Sequence, residues 1–163
     1  MSIVTSTGNA QAPTQLPGQS FSDTTQEAFR EYLRIKSNRY RFTDEKYDLY
    51  RHFLLQPSLG ELSLSHLECD KEHIQKDKEG RAKILALRDF CLDDDNRLCR
   101  KAETGPPLIV LRDWQLYGVI TTTHCQIPHG GQEKTFTWLS KQYYGVIRPE
   151  VRWLLKHCKV CGL

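Results

Sequence analysis

The sequence has no apolar run approaching the roughly 18 to 20 residues that a membrane-spanning helix requires. Its N-terminus also lacks the basic and apolar regions of a secretory signal. These two absences predict a soluble, intracellular protein with no membrane partner. At 163 residues, 39% hydrophobic and 26% charged, the chain leaves no room for a multi-domain enzyme. It suits one ordinary domain, or a small domain joined to a metal module. A large charge excess is missing too, since the net charge is only +3, but its distribution is uneven. From Arg97 onward ten Lys/Arg face four acids, a net +6, whereas the first 96 residues carry 13 bases and 16 acids, a net −3. A basic C-terminal part behind a mildly acidic one suits a polyanion, although so small an excess also describes a solvated face.

Cysteine is not scarce, at six residues. The chain is too large to need a disulfide framework and two cysteines form C-x2-C, so reduced thiols and a metal are the expectation. His124 and His129 are spaced H-x4-H; after 28 intervening residues Cys158 and Cys161 follow. Two imidazoles one loop apart and two thiols two residues apart can converge on one zinc ion, which takes N and S ligands in closed tetrahedral structural sites. Such a site has no open position for water, so it supplies folding energy and not Lewis-acid chemistry.

Between the ligands stand Gly130-Gly131-Gln132-Glu133-Lys134-Thr135, Leu139, Tyr143-Tyr144, Val151 and Leu155. The stretch from His129 to Cys161 resembles, without insertion, the HHCC zinc-binding domain at the N-terminus of retroviral and retrotransposon integrases. Residues 89 to 123 share with it only a general pattern of hairpin, strand and helix. The resemblance implies three short helices around one zinc, the second and third forming a helix-turn-helix-like pair. It also implies self-association and a retrotransposon-derived, DNA- or chromatin-associated role in the nucleus. Gly145 stands where the family usually has proline, which leaves the entry to the last helix less rigid.

The expected fold is mainly α with a small antiparallel β element. Residues 1–21 read as a disordered tail, 22–88 as a helical region, and 89–163 as a β-hairpin plus the zinc-binding domain, with its zinc core at 112–163. Ser22 or Asp23 caps a helix carrying Phe29, Tyr32, Leu33 and Lys36; Thr43 caps a second, with Asp44 and Glu45 in its first turn and Tyr47, Tyr50, Phe53 and Leu54 inward. Leu62 to Leu87 reads as one or two helices broken near Gly80. Phe90–Leu92, the Asp93–Asn96 turn and Arg97–Lys101 read as a hairpin, and Leu108–Leu111 as a third strand. Asp113 is the expected N-cap of the His124 helix. The next helix starts near Gly131 and buries Phe136, Leu139 and Tyr143; the last starts near Pro149 and buries Val151, Leu154 and Leu155.

Cys125 and His157 abut ligands, but the motif assigns metal to their neighbours. His66, Cys69 and His73 form a loose cluster for a second metal, weighed against an ordinary helical face. Cys91 and Cys99 are expected as reduced strand residues. Trp138 and Trp153 are expected partly exposed, sharing a surface with Lys134, Lys141, Arg148, Arg152 and Lys156 suited to phosphate contact and base stacking. Exposed tryptophans equally mark protein contacts, and the 22–88 helices could dock a partner or a second copy. Family integrases carry three catalytic carboxylates in a following domain, and Asp93, Asp94 and Asp95 cannot replace them on one turn. The expectation is therefore a non-enzyme without a small-molecule substrate: a nucleic-acid-binding module, alternatively a protein-interaction module, alternatively the N-terminal piece of a larger integrase.

Overall fold

The computed structural model describes residues 20–56 and 78–161, and within these the chain is mainly helical with one small sheet. Helix α1 (Asp23–Ile35) and α2 (Asp44–Leu55) precede α3 (Lys78–Asp89), which runs directly into β1 (Phe90–Leu92). Strands β2 (Leu98–Arg100) and β3 (Leu108–Val110), a single 3₁₀ turn at Asp113–Gln115 and α4 (Leu116–Gln126) follow. Then come α5 (Gln132–Ser140), β4 (Tyr143–Tyr144) and α6 (Arg148–Leu155). The His66–Cys69–His73 cluster lies outside the described residues.

The acidic turn forms the expected hairpin, with Cys91 paired to Cys99 in the antiparallel β1–β2 register. Asn96 takes the left-handed conformation at φ 57°, which Asn tolerates better than most residues, and Asp93 accepts the Arg97 amide through Oδ1 at 2.8 Å. β3 adds antiparallel to β2. The sheet then departs from the expected three strands, because β4 joins β3 in parallel. Tyr143 therefore belongs to a strand and not to the helix of Phe136 and Leu139. That helix stops at Ser140, and Gly145 at φ 104° turns the chain toward α6.

Other helix ends also differ from expectation. Thr43 does cap α2, its hydroxyl accepting from the Lys46 amide. At α1 the Ser22 hydroxyl instead bonds Thr24 and Thr25 hydroxyls. Asp113 opens a 3₁₀ turn and not the α-helix, which begins at Leu116 after the Gln115 side chain has accepted the Arg112 amide at 2.9 Å. Gly80 lies in the first turn of α3, and the stretch before Lys78 in which a preceding helix was expected lies outside the described residues.

Two apolar clusters organise the elements. The first joins Phe29 and Leu33 of α1 to Leu111, Leu116, Ile120, Leu139, Val146, Val151 and Leu154. The second joins Phe42, Tyr47, Tyr50 and Phe53 to Ala86, Phe90, Leu98 and Val110. Successive strand residues point to opposite faces, so Val110 enters the second cluster and Leu111, just past β3, enters the first. Helix α1 thus packs with the C-terminal helices, against which Trp153 is set by ring contacts to Phe29 (5.5 Å) and Tyr32 (5.2 Å).

Candidate metal centre

Helix α4 delivers His124 from its last turn, fully buried. Ile127 caps the helix, and His129 then takes the left-handed conformation at φ 49°. Histidine visits this region more readily than most residues, yet such a backbone still costs about 1 to 3 kcal/mol and needs surrounding contacts to hold it. Cys158 follows α6, buried, and Cys161 lies three residues on, exposed.

The four donor atoms lie within 4.8 Å of one another. His124 Nε2 is 3.2 Å from His129 Nδ1, Cys158 Sγ is 3.4 Å from His129 Nδ1, and Cys161 Sγ is 3.4 Å from His124 Nε2. With metal–N near 2.0 Å and metal–S near 2.3 Å, a tetrahedral ion demands N···N edges of about 3.3 Å and N···S edges of about 3.5 Å. These three edges match within about 0.1 Å. The four side chains fit a metal ion with a closed N2S2 donor set.

The surroundings prepare the donors. His124 Nδ1 is 3.0 Å from the Gly130 carbonyl, a contact that keeps the proton on Nδ1 and turns the Nε2 lone pair toward the cluster. Burial, its largest influence, pushes the His124 pKa below the ordinary histidine range and favours the neutral ligand form. Burial and the adjacent Cys158 thiol hold the Cys161 thiol above its ordinary range. Two thiolates side by side are costly without a cation between them.

The Gly130 carbonyl also accepts the buried Thr135 hydroxyl at 3.0 Å. That is what the Lys134-Thr135 pair of the motif contributes locally: a hydroxyl that fixes the acceptor which fixes the histidine. A Cβ at Gly130 would meet the Ile127 carbonyl and side chain at 3.0 Å, whereas one at Gly131 meets nothing within 4 Å. The sterically required glycine is thus Gly130, while the position of Gly131 has room for a side chain.

Cys125 and His157 stay out of the cluster. His157 stacks on Trp153 with ring centroids 4.0 Å apart and engages the Trp153 carbonyl through Nδ1 at 2.8 Å. Cys91 and Cys99 are both free thiols, and burial raises Cys99 to about 11.

The candidate phosphate-contacting residues divide. Lys134, Lys141, Arg148, Arg152 and Lys156 are exposed, and the last three follow one another at four-residue spacing along α6 and its C-cap. Arg148 lies over the Phe136 ring at 4.3 Å and pairs with Glu133 at 3.4 Å; Arg152 donates to Gln132 at 2.8 Å. Trp138 and Trp153 are half-buried and pack on the first cluster. Trp153 is partly exposed as expected, and its ring stacks on Tyr32 and lies beside Phe29 of α1. The exposed indole is Trp114, at 59%.

Residue-type reasoning missed the cover of the centre. Ser20 and Phe21, read from composition as the end of the tail, are buried, and Phe21 meets His124 edge-on at 6.1 Å. The available signal was an aromatic residue immediately ahead of a helix cap. Compared with protein-family models, with curated proteins and with solved structures, the chain matches none.

Proposed function

We propose that this chain is a non-catalytic, zinc-stabilised nucleic-acid-binding module of the HHCC integrase type. The observation that carries the zinc reading is the set of tetrahedral edges among His124, His129, Cys158 and Cys161. Two imidazoles and two thiolates suit zinc, and four protein ligands leave no position for a reacting water. The metal would stabilise short helices that cannot stand alone, by an apparent ~10 to 16 kcal/mol at neutral pH.

The nucleic-acid reading rests on the ridge of Arg148, Arg152 and Lys156 on α6, flanked by Lys134 and Lys141 of α5. Arg148 and Arg152 are already oriented by Glu133 and Gln132, and exposed pairs of this kind exchange for phosphate at little cost. Fluorescence anisotropy of the zinc-loaded chain with duplex DNA, between about 50 and 200 mM salt, tests it: log K should fall by ~0.9 per phosphate neutralised. Arg152→Glu with Lys156→Glu should flatten that slope by about two contacts. Binding that ignores salt, or no binding, refutes the reading.

The second reading, a protein-interaction or self-association module, is favoured by exposed Trp114 (59%) and Ile35 (64%). Sedimentation of the purified chain separates the two, a strict monomer counting against self-association.

A further inference from the structure

Ser20 and Phe21 supply no ligand, yet they touch the metal centre at two points. Phe21, 2% exposed, lies against the His124 ring at 6.1 Å and the Tyr117 ring at 6.3 Å. The carbonyl of buried Ser20 accepts the Lys159 amide at 2.9 Å. Lys159 sits between Cys158 and Cys161, so this bond ties the loop that bears both thiols to the opposite end of the chain.

We propose that Ser20–Phe21 is a strap that closes the metal centre and sets the rate at which its ion is lost; the proposal rests on the metal reading above. The ligands are unequal in access, because Cys161 is exposed while Cys158 is 1% and His124 0% exposed. A chelator removes an ion by displacing ligands one after another, and Cys161 is the one it reaches first. His129 is half-exposed and comes next, and the ion leaves only when Cys158 or His124 also moves, which means local opening of the C-x2-C loop from α4. The Ser20 carbonyl holds that loop, and Phe21 fills the space beside His124. Two residues further on α1 begins, anchored in the core by Phe29 and Leu33. Lifting the strap therefore works against a fixed helix, and ion release waits for that motion.

The test uses the full chain with zinc as the probe. Zinc per chain is measured first, then the rate of zinc transfer to an excess of chromophoric chelator, for the wild type, Phe21→Ala and Phe53→Ala. Phe53 lies in the second cluster, which holds neither a ligand nor an anchor of the strap, so it reports on general destabilisation. The expected result is one zinc per chain throughout, with release about tenfold faster in Phe21→Ala and changed about twofold or less in Phe53→Ala. Wild-type release in Phe21→Ala overturns the strap. So does release that simply follows urea stability across both variants, since that is loss through global unfolding. Should Phe21→Ala fail to fold, Phe21→Leu, which keeps most of the volume, takes its place with the same expected direction. A wild-type chain that holds no zinc overturns the metal reading itself, and the strap with it.

Discussion

Arg41 donates through Nη2 to Glu150 Oε1 at 2.8 Å, with the two side chains 11% and 1% exposed. The pair joins the segment after α1 to the first turn of α6. Glu150 also accepts Asn38 Nδ2 at 3.1 Å and the Ile147 amide at 3.3 Å, while Arg41 Nη1 reaches the Leu33 and Lys36 carbonyls. Removing one partner leaves the other buried and uncompensated, so Glu150→Ala should destabilise by about 3 to 5 kcal/mol in urea unfolding. The double variant Arg41→Met/Glu150→Met should recover much of that loss, as paired apolar replacements do. A loss below about 1 kcal/mol for Glu150→Ala would place this pair with ordinary surface salt bridges.

Gly130 and Gly131 should respond oppositely to alanine. At Gly130 the new methyl meets a backbone carbonyl at 3.0 Å, and the carbonyl that orients His124 has to shift. At Gly131 the space is open. Gly130→Ala should lower zinc affinity by about 10-fold or more, in the range found when outer-shell partners of metal ligands are disturbed. Gly131→Ala should stay within about 1 kcal/mol of wild-type stability and bind zinc unchanged. Competition against a chelator of known affinity measures both.

Trp153→Ala should act on stability and not on polyanion binding. Its ring stacks with both Tyr32 and His157, with Phe29 beside it. Truncating a large aromatic in such packing costs about 3 to 5 kcal/mol. The slope of log K against log salt should stay that of the wild type, because no phosphate contact is removed. A flattened slope with intact stability would return Trp153 to the binding surface.

The convergence of His124, His129, Cys158 and Cys161, the hairpin and the α2 cap could be read from residue type because each rests on local chemistry: donor atoms at fixed spacing, Asp and Asn in a turn, a threonine ahead of two acids. What could not be read is set by contacts between distant segments. Tyr143 continues the helical spacing of Phe136 and Leu139 on paper, but pairing with β3 pulls it into a strand. The apolar stripe of α2 closes on α3 and the sheet, whereas that of α1 closes on α6. Nothing in Phe29 or Leu33 alone tells these partners apart.

Asp89 links acid sensitivity to the α3–β1 junction. Arg88, bonding both carboxylate oxygens, and then Arg100 hold its pKa down to about 2 against the partial opposition of burial. A depressed carboxylate pKa adds stability that is complete above the unfolded value of about 4 and fades as pH falls toward 2. Arg88 is 61% exposed, so solvent screening reduces the contribution to about 1 kcal/mol. Asp89→Asn should be less stable than wild type by that amount at neutral pH, and the two unfolding curves should converge near pH 2. A constant gap down to pH 2 would mean the loss is not electrostatic.

Metal removal should melt one core and spare the other for longer. His124 lies on α4 and Cys158 just after α6, helices whose apolar faces build the first cluster with α1, while the second cluster of α2, α3 and the sheet contains no ligand. Stripping zinc with a chelator, or His129→Ala, should therefore expose amides of α4, α5 and α6 to hydrogen exchange, since the binding energy of a structural zinc is folding energy. Amides of α2 and of the β1–β2 hairpin should retain protection. Helix α1 decides the matter, because it lies far from the ligands in sequence and packs on α6. Its amides should lose protection together with those of α6, and the Trp153 emission should shift with them. If α1 instead stays protected alongside α2, the first cluster does not unfold as a metal-dependent unit.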